Sequence, residues 1–449
     1  MKSIMKLSMV LVPVFTMLSF SNLSLDHLNP YDIPHHINIS WKTDPATSQS
    51  INWRTTELQK ISYVEYCEAT ASPFFSNSVQ RQKAESNAHT GDDATWNYHS
   101  VNLTGLSPNT QYSYRVGNGN FWSEWAEFKT ATGKEEDFTF IYFGDVQRDI
   151  FSMGSRAVRQ AVLQRPDAKF FLFGGDLVHR GGLNKENWNE FFPTGGWAFQ
   201  NIPILATPGN HEHIVAKSGE NMGQQWYYNF TFPENGPKGH DEETFYVDYN
   251  NIRVISLNMC RYKYAEDRKA ILEWTEERLK EFKGDWVFIT HHYAMHPSAR
   301  NRKPGLRFPE FKALYEKYKV PVILTGHEHL YARGRIDDEF PVYVVSVAGP
   351  YQNAIQFQGW EERTGTSLQL FQEINVSQNE IHYVSKTILG EVYDEFRITK
   401  SENGEMKYTI GEDLPPQSLL PPDRFEERYK KELVDSWEED LKNYLILHP

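Results

Sequence analysis

The residues of this chain best suited to chemistry are two aspartates, an asparagine and several histidines, each placed where an apolar run stops. The run Phe138–Phe143 ends at Gly144-Asp145, and Lys169–Phe173 ends at Gly174-Gly175-Asp176. Ile202–Ala206 leads to Gly209-Asn210-His211-Glu212, and Trp286–Thr290 ends at His291-His292. Val320–Thr325 ends at Gly326-His327-Glu328-His329, while Gln147 and His179 lie close to the first two ends. Mixed carboxylate, amide and imidazole donors suit first-row ions such as zinc, iron or manganese. Asp145, Asp176, Asn210, His291, His327 and His329 are enough for two cations about 3.5–4 Å apart, with one carboxylate bridging and positions left for water and substrate.

Such a set needs elements that bring distant segments to one edge. Five continuous apolar runs are what strands covered on both faces require, and ligand groups gather beyond the carboxyl ends of such strands. From Asp137 onward strand-like runs alternate with helical ones, which predicts an α/β layered domain. Between Arg268 and Phe282, Ile271, Thr275, Leu279 and Phe282 form one stripe, a helix that packs on a sheet. Upstream, from His35 to Thr130, period-2 runs such as Ile37–Trp41, Ser50–Arg54, Tyr63–Tyr66 and Tyr112–Val116 predict a β-sandwich of roughly 100 residues. It gathers no His, Asp or Cys, so it reads as a packing or positioning module. Downstream, Phe340–Ala348 and the stretch Ser367–Thr399 read as further strands. A helix is expected from about Asp423, where Phe425, Tyr429, Leu433, Trp437 and Leu441 recur every four residues. It is expected to dock on the body, with a homodimer contact as the alternative.

Composition narrows the classes. The 449 residues are 39% apolar and 23% charged, a globular balance that excludes collagen-like and disordered chains. Net charge is −13 with no Lys/Arg block, which argues against a nucleic-acid platform; an anionic substrate stays compatible if bound cations supply local charge. Cys67 and Cys260 make neither a disulfide scaffold nor a zinc spacing. They read as two buried thiols in separate domains, a single bridge being the alternative. Lys2 and Lys6 precede the apolar stretch Leu7–Phe20 and the exit Ser19-Phe20-Ser21, the layout of a cleaved secretory signal over residues 1–21. That stretch falls short of the roughly 20 residues a spanning helix needs, and no other segment is long and apolar enough. The mature chain is therefore expected to be secreted or periplasmic, with an uncleaved N-terminal membrane anchor as the alternative.

The stretch Leu103–Tyr112, with Gly105, Pro108 and Tyr112, resembles the strand corner of fibronectin type III domains. The five strand-end motifs, in this order, resemble the calcineurin-like metallophosphoesterases, and within them the purple acid phosphatases, which carry a fibronectin-like N-terminal domain. The resemblance covers about residues 30 to 398. It implies a fibronectin type III-like domain over 30–132 and a four-layer α-β-β-α metallophosphoesterase domain over 137–398, leaving 399–449 as a C-terminal extension. Carried over by position, Asp145 and His329 hold the first metal, Asp176 bridges both, and Asn210, His291 and His327 hold the second. His292 falls at the variable position after the ligand. His211 matches the histidine that contacts substrate, as general acid or, alternatively, only to orient phosphate. The implied activity is acid phosphatase-like hydrolysis of phosphate monoesters by a metal-bridging hydroxide, with two divalent or mixed-valence ions of Fe, Zn or Mn. Phosphodiester hydrolysis on the same metals is the enzymatic alternative, and a binding protein that has lost activity is the third reading.

Two departures from the family pattern bear on the first metal. Purple acid phosphatases have Gly-Asp-x-x-Tyr, whose phenolate gives the ferric colour; here that position is His179. The wider family has Asp-x-His at the first strand, where this chain has Asp145-Val146-Gln147. The simplest repair makes His179 the fourth ligand, with the chromophore absent and a divalent ion favoured; the alternative leaves His179 behind the ligands, with water completing the site. Arg180 is the basic residue expected near the phosphate. His213, and His296 in its loop with Arg300, Arg302 and Lys303, either touch the rest of the substrate or lie on a solvated loop face.

Overall fold

Alternation in the first hundred residues is realised as two four-stranded antiparallel sheets packed face to face. One has the spatial order His35–Ser40, Ser48–Thr56, Thr95–Thr104, Glu85–Thr90; the other runs Gln80–Lys83, Tyr63–Glu68, Gln111–Gly117, Ala126–Lys129. Ile39, Trp53, Val64, Leu103, Tyr114 and Val116 fill the space between them. The Tyr112 hydroxyl accepts the Ser107 N–H at 2.9 Å, the strand-corner contact expected of its position. The computed structural model describes residues 33–448 apart from 57–58, 91–94, 182–185 and 217–218; the expected leader over 1–21 lies outside the described residues. Cys67 sits on the strand Tyr63–Glu68 and Cys260 in the second domain, both buried and not bridged.

The second domain is built on two seven-stranded mixed sheets. The first has the order Ile204–Ala206, Phe171–Phe173, Phe138–Phe143, Leu370–Val376, Glu380–Thr387, Val392–Lys400, Met406–Ile410. The second has the order Phe245–Tyr249, Ile252–Leu257, Trp286–Tyr293, Val322–Gly326, Glu339–Val345, Tyr331–Ile336, Arg363–Gly365. The strands that end in chemically capable residues run parallel within each sheet. Side chains alternate across the second sheet. Val254, Phe288, Val322 and Val342 turn into the core shared with the first sheet, whereas Ile255, Ile289, Ile323 and Tyr343 turn outward. There they meet Ile271 and Leu279 of the helix Ala265–Glu281 and Phe311, Leu314 and Tyr315 of Pro309–Lys317. On the far side, Ala157, Val158 and Ala161 of the helix Ser155–Gln164 and Trp188 and Phe191 of Glu186–Gly195 pack against the first sheet. The result is α-β-β-α layering, with the sandwich attached through Trp41 against Phe170 and Tyr249 and through Ser40 bonded to the Thr231 carbonyl.

The tail departs from the expected single helix. It forms three, Phe425–Arg428, Lys431–Asp435 and Trp437–Leu447; the first break falls where Tyr429 and Lys430 are extended, the second at Ser436. Phe425 and Tyr429 still pack on Ala354, with Leu433, Val434 and Trp437 beside them. Arg300, expected near substrate or solvent, is instead buried beneath this tail. It donates to the Leu433 carbonyl at 2.6 Å and to Asp440 at 2.6 Å.

Candidate dinuclear metal centre

Strand ends of both sheets converge on one buried cluster. Two groups of ligating side chains form there, Asp145 with Asp176 and His329, and Asp176 with His292 and His327; within each group the ligating atoms lie within 4.8 Å of one another. Asp176 belongs to both, the place a bridging carboxylate takes between two cations. His292 Nε2 is 3.1 Å from Asp176 Oδ2, His327 Nδ1 is 3.2 Å from His292 Nε2, and His329 Nε2 is 3.5 Å from Asp145 Oδ2. Main-chain carbonyls fix the imidazoles: His292 Nδ1 donates to Gly174 and His329 Nδ1 to Tyr351, which leaves each Nε2 lone pair facing the cluster. Asp145 Oδ2 and Asn210 Oδ1 are buried without a hydrogen-bond partner. An orphaned buried acceptor costs about 1–3 kcal/mol, and a cation satisfies both, so these residues fit two metal ions.

Electrostatics agree with that fit. Burial pushes Asp145 up to about 7, with the Asp176 charge adding to the effect. Burial also opposes the charge on Asp176, yet His292 and His211 hold its carboxyl well below the ordinary range. On His292 burial is outweighed by Asp176 and Asp145, which push it up to about 9. The carboxylates that favour a proton on His292 favour a metal cation between the same atoms.

The backbone is strained where it delivers these groups. Asp176, His327 and His329 adopt φ of 49°, 71° and 53°, left-handed values that non-glycine residues take only when their surroundings enforce them. Glu212 supplies part of that enforcement. Wholly buried, its carboxylate accepts the N–H groups of Gly209 at 2.8 Å, Asp176 at 3.0 Å and Val178 at 3.3 Å, which joins two strand-end loops. Burial, with Asp176 nearby, pushes Glu212 up to about 8. Glu212→Gln replaces one acceptor oxygen with a donor facing N–H groups. It should cost about 1–3 kcal/mol of stability and weaken metal binding about 10–100-fold; a thermal melt and a metal titration would read both, and unchanged values would show that another contact joins the loops.

The largest correction concerns the adjacent histidines. His291, expected as a ligand, turns outward: its ring lies beside Tyr315 and edge-on to Phe308, and its Nδ1 donates to the Tyr293 carbonyl. His292 is the one in the cluster. The strand runs Trp286–Tyr293, two residues beyond His291, and alternation carried from Phe288 inward and Ile289 outward puts His292 on the inner face.

His179 does not enter either cluster; its Nδ1 bonds Gln147 Oε1 at 2.8 Å. Gln147, in turn, lies among the ligating atoms. His211 donates its main-chain N–H to Asp176 Oδ1 at 2.9 Å, and its Nδ1 bonds the His179 carbonyl at 2.5 Å. Its part-exposed Nε2 is left 3.8 Å from Asp176 Oδ2. Arg180 is exposed close enough to lower the proton affinity of His179, as Arg148 also does, after burial and His211. His213 is neither solvated nor at the mouth: buried, it bonds the Gly209 carbonyl and Asn258. His296 packs against Tyr343 and Trp360 in the outer layer, away from the cluster, because Tyr343 points outward from its strand.

Comparison with known proteins agrees with this geometry. Residues 138–331 match the calcineurin-like phosphoesterases and residues 34–130 the N-terminal domain of purple acid phosphatase. An uncharacterized protein of Mycobacterium tuberculosis is 23% identical over 330 residues, a match covering 66% of this chain and 61% of that protein. The chain thus spans about three fifths of that relative's length. Acid phosphatase type 7 of Mus musculus is 24% identical over 361 residues, 72% of this chain and 76% of the mouse protein. Among solved structures, a purple acid phosphatase from yellow lupin (Lupinus luteus) seeds superposes with a TM-score of 0.68 at 18% identity, covering 83% of this chain and 75% of the lupin chain. The chain thus carries a calcineurin-like phosphoesterase domain over residues 138–331 behind a purple acid phosphatase N-terminal domain over 34–130, and it shares the fold of the lupin purple acid phosphatase.

Proposed function

We propose that the chain is an exported, dinuclear metal-dependent phosphatase that hydrolyses phosphate monoesters. The observation that carries this reading is Asp176, shared between the Asp145–His329 pair and the His292–His327 pair. When bound, two cations lower the pKa of a water and neutralise phosphate oxygens, so attack proceeds near neutral pH. The chain's own part is positioning and proton transfer. His211, held by Asp176 and by the His179 carbonyl, presents Nε2 at the mouth, where it protonates the leaving oxygen or holds the phosphate. Arg180 and Arg148 put positive charge on the same rim, which favours a substrate with the second negative charge of a monoester over a diester. A histidine where the family pattern has tyrosine favours divalent Fe, Zn or Mn over a ferric–phenolate centre. Export rests on Lys2, Lys6 and the apolar stretch that follows; among the described residues no helix is long and apolar enough to cross a membrane.

The test is metal analysis with visible absorption, beside assays on mono- and bis-(p-nitrophenyl) phosphate before and after chelation. Two ions per chain, no charge-transfer band and faster monoester hydrolysis that chelation abolishes are expected. Faster diester hydrolysis would transfer the site to phosphodiesters. A chain that holds no metal and cleaves neither substrate would be a binding protein.

A further inference from the structure

We propose that Gln147 is the fourth ligand of the cation held by Asp145, Asp176 and His329, and that His179 positions the Gln147 amide rather than binding metal. The proposal rests on the dinuclear reading above. Gln147 is buried, and its main-chain N–H, like that of Val146, donates to the Asp176 carbonyl at 3.1 Å. Its amide nitrogen lies 2.9 Å from Asp176 Oδ2 and 3.0 Å from His329 Nε2. Those are two of the three side chains in the first group. A side-chain end so close to both occupies the position of the cation or bonds it. The other end of the amide, Oε1, meets His179 Nδ1 at 2.8 Å, so the amide stands between the imidazole and the cluster.

An amide nitrogen has no lone pair to give, whereas an amide oxygen is a good ligand for a hard or borderline cation. Half a turn about the last side-chain torsion exchanges the two ends. The oxygen then faces Asp176 and His329, and the NH2 donates to His179 Nδ1 as an acceptor. His179 is well placed to hold that orientation, since its ring lies 4.8 Å from His211 and its carbonyl accepts the bond from His211 Nδ1. One imidazole therefore steadies both the cation's amide ligand and the residue at the mouth.

The experiment loads metal-free wild type, Gln147→Met, Gln147→His and His179→Ala with Co2+. It reads stoichiometry by elemental analysis and coordination by the visible ligand-field bands. Wild type should take two Co2+. Gln147→Met, near in shape but without the oxygen, should bind one normally and the other at least about 10-fold more weakly. Gln147→His should restore two ions with a shifted band, because a nitrogen replaces an oxygen ligand. His179→Ala should keep two ions, with a smaller loss of affinity than Gln147→Met. Two ions bound as in wild type by Gln147→Met, or a Gln147→His spectrum that matches wild type, would overturn the assignment. So would loss of an ion in His179→Ala alone, which would make His179 the ligand. Should Gln147→Met fail to fold, the Gln147→His spectrum decides by itself. Wild type that takes up no Co2+ would overturn the dinuclear reading and this assignment together.

Discussion

His292→Ala should lose one cation and at least about 100-fold in kcat/KM on p-nitrophenyl phosphate, while His291→Phe keeps both cations and nearly all activity. The two residues are chain neighbours with the same side chain, so only the face of the sheet distinguishes them. His292 is buried among Asp176, His327 and the Gly174 carbonyl, with Nε2 3.1 Å from the shared carboxylate. Its removal takes a donor from one group and leaves Asp176 short of its nearest positive partner. His291 sits in the outer layer against Tyr315 and Phe308, where a phenyl ring suits the surroundings. What His291→Phe loses is one hydrogen bond to the Tyr293 carbonyl, worth about 1 kcal/mol of stability. Metal content and kcat/KM of the two variants, measured side by side, check the assignment. If His291→Phe lost the cation and His292→Ala kept it, the strand would be turned over relative to this structure.

What could be read from the sequence follows what each signal physically records. Apolar runs that end in Gly-Asp or Gly-His mark buried parallel strands and their carboxyl ends, and Asp145, Asp176, His327 and His329 do meet there. The face a side chain takes on such a strand is harder to read. A strand covered on both sides is apolar at nearly every position, so Trp286–Thr290, with Thr290 its one polar residue, carries no alternation that fixes its phase. The end was also placed too early, since pairing continues through Tyr293 with a register shift after Thr290. His296 and Arg300 were misplaced for a related reason. Position in a loop does not reveal that Tyr343 and Trp360 shelter one and that the C-terminal helices cover the other. Phe425, Tyr429, Leu433 and Trp437 of the repeat do dock, whereas Leu441 is not in that cluster, and a repeat of four cannot show that Tyr429 and Lys430 leave the helix. The family resemblance implies that the usual fourth ligand of the first metal is missing, and leaves His179 or water in its place. Gln147 enters as a proposed ligand only through the distances around its amide.

Gly209→Ala should be as damaging as removal of a ligand, although Gly209 holds none. A methyl group there would stand 2.2 Å from Asp176 Oδ1 and 2.3 Å from the Asp176 main-chain nitrogen. Neither neighbour can step aside. Oδ1 accepts the His211 N–H, the nitrogen donates to Glu212, and Asp176 itself is in a left-handed conformation that tolerates little adjustment. The Asn210 loop and the Asp176 loop must therefore separate, which carries the shared carboxylate away from both groups. The expected outcome is a stability loss of about 1–3 kcal/mol with metal affinity down at least about 100-fold, read by a thermal melt and a metal titration. Gly239→Ala is the proper comparison. Gly239 has φ of 84° but nothing within 4 Å of its added methyl, so it loses about 1 kcal/mol to backbone strain and leaves the centre intact. A Gly209→Ala chain that melts lower yet holds two cations would mean that the loops yield without moving Asp176. A loss of both cations would show that close approach of two main chains, as much as the ligands, fixes the bridging position.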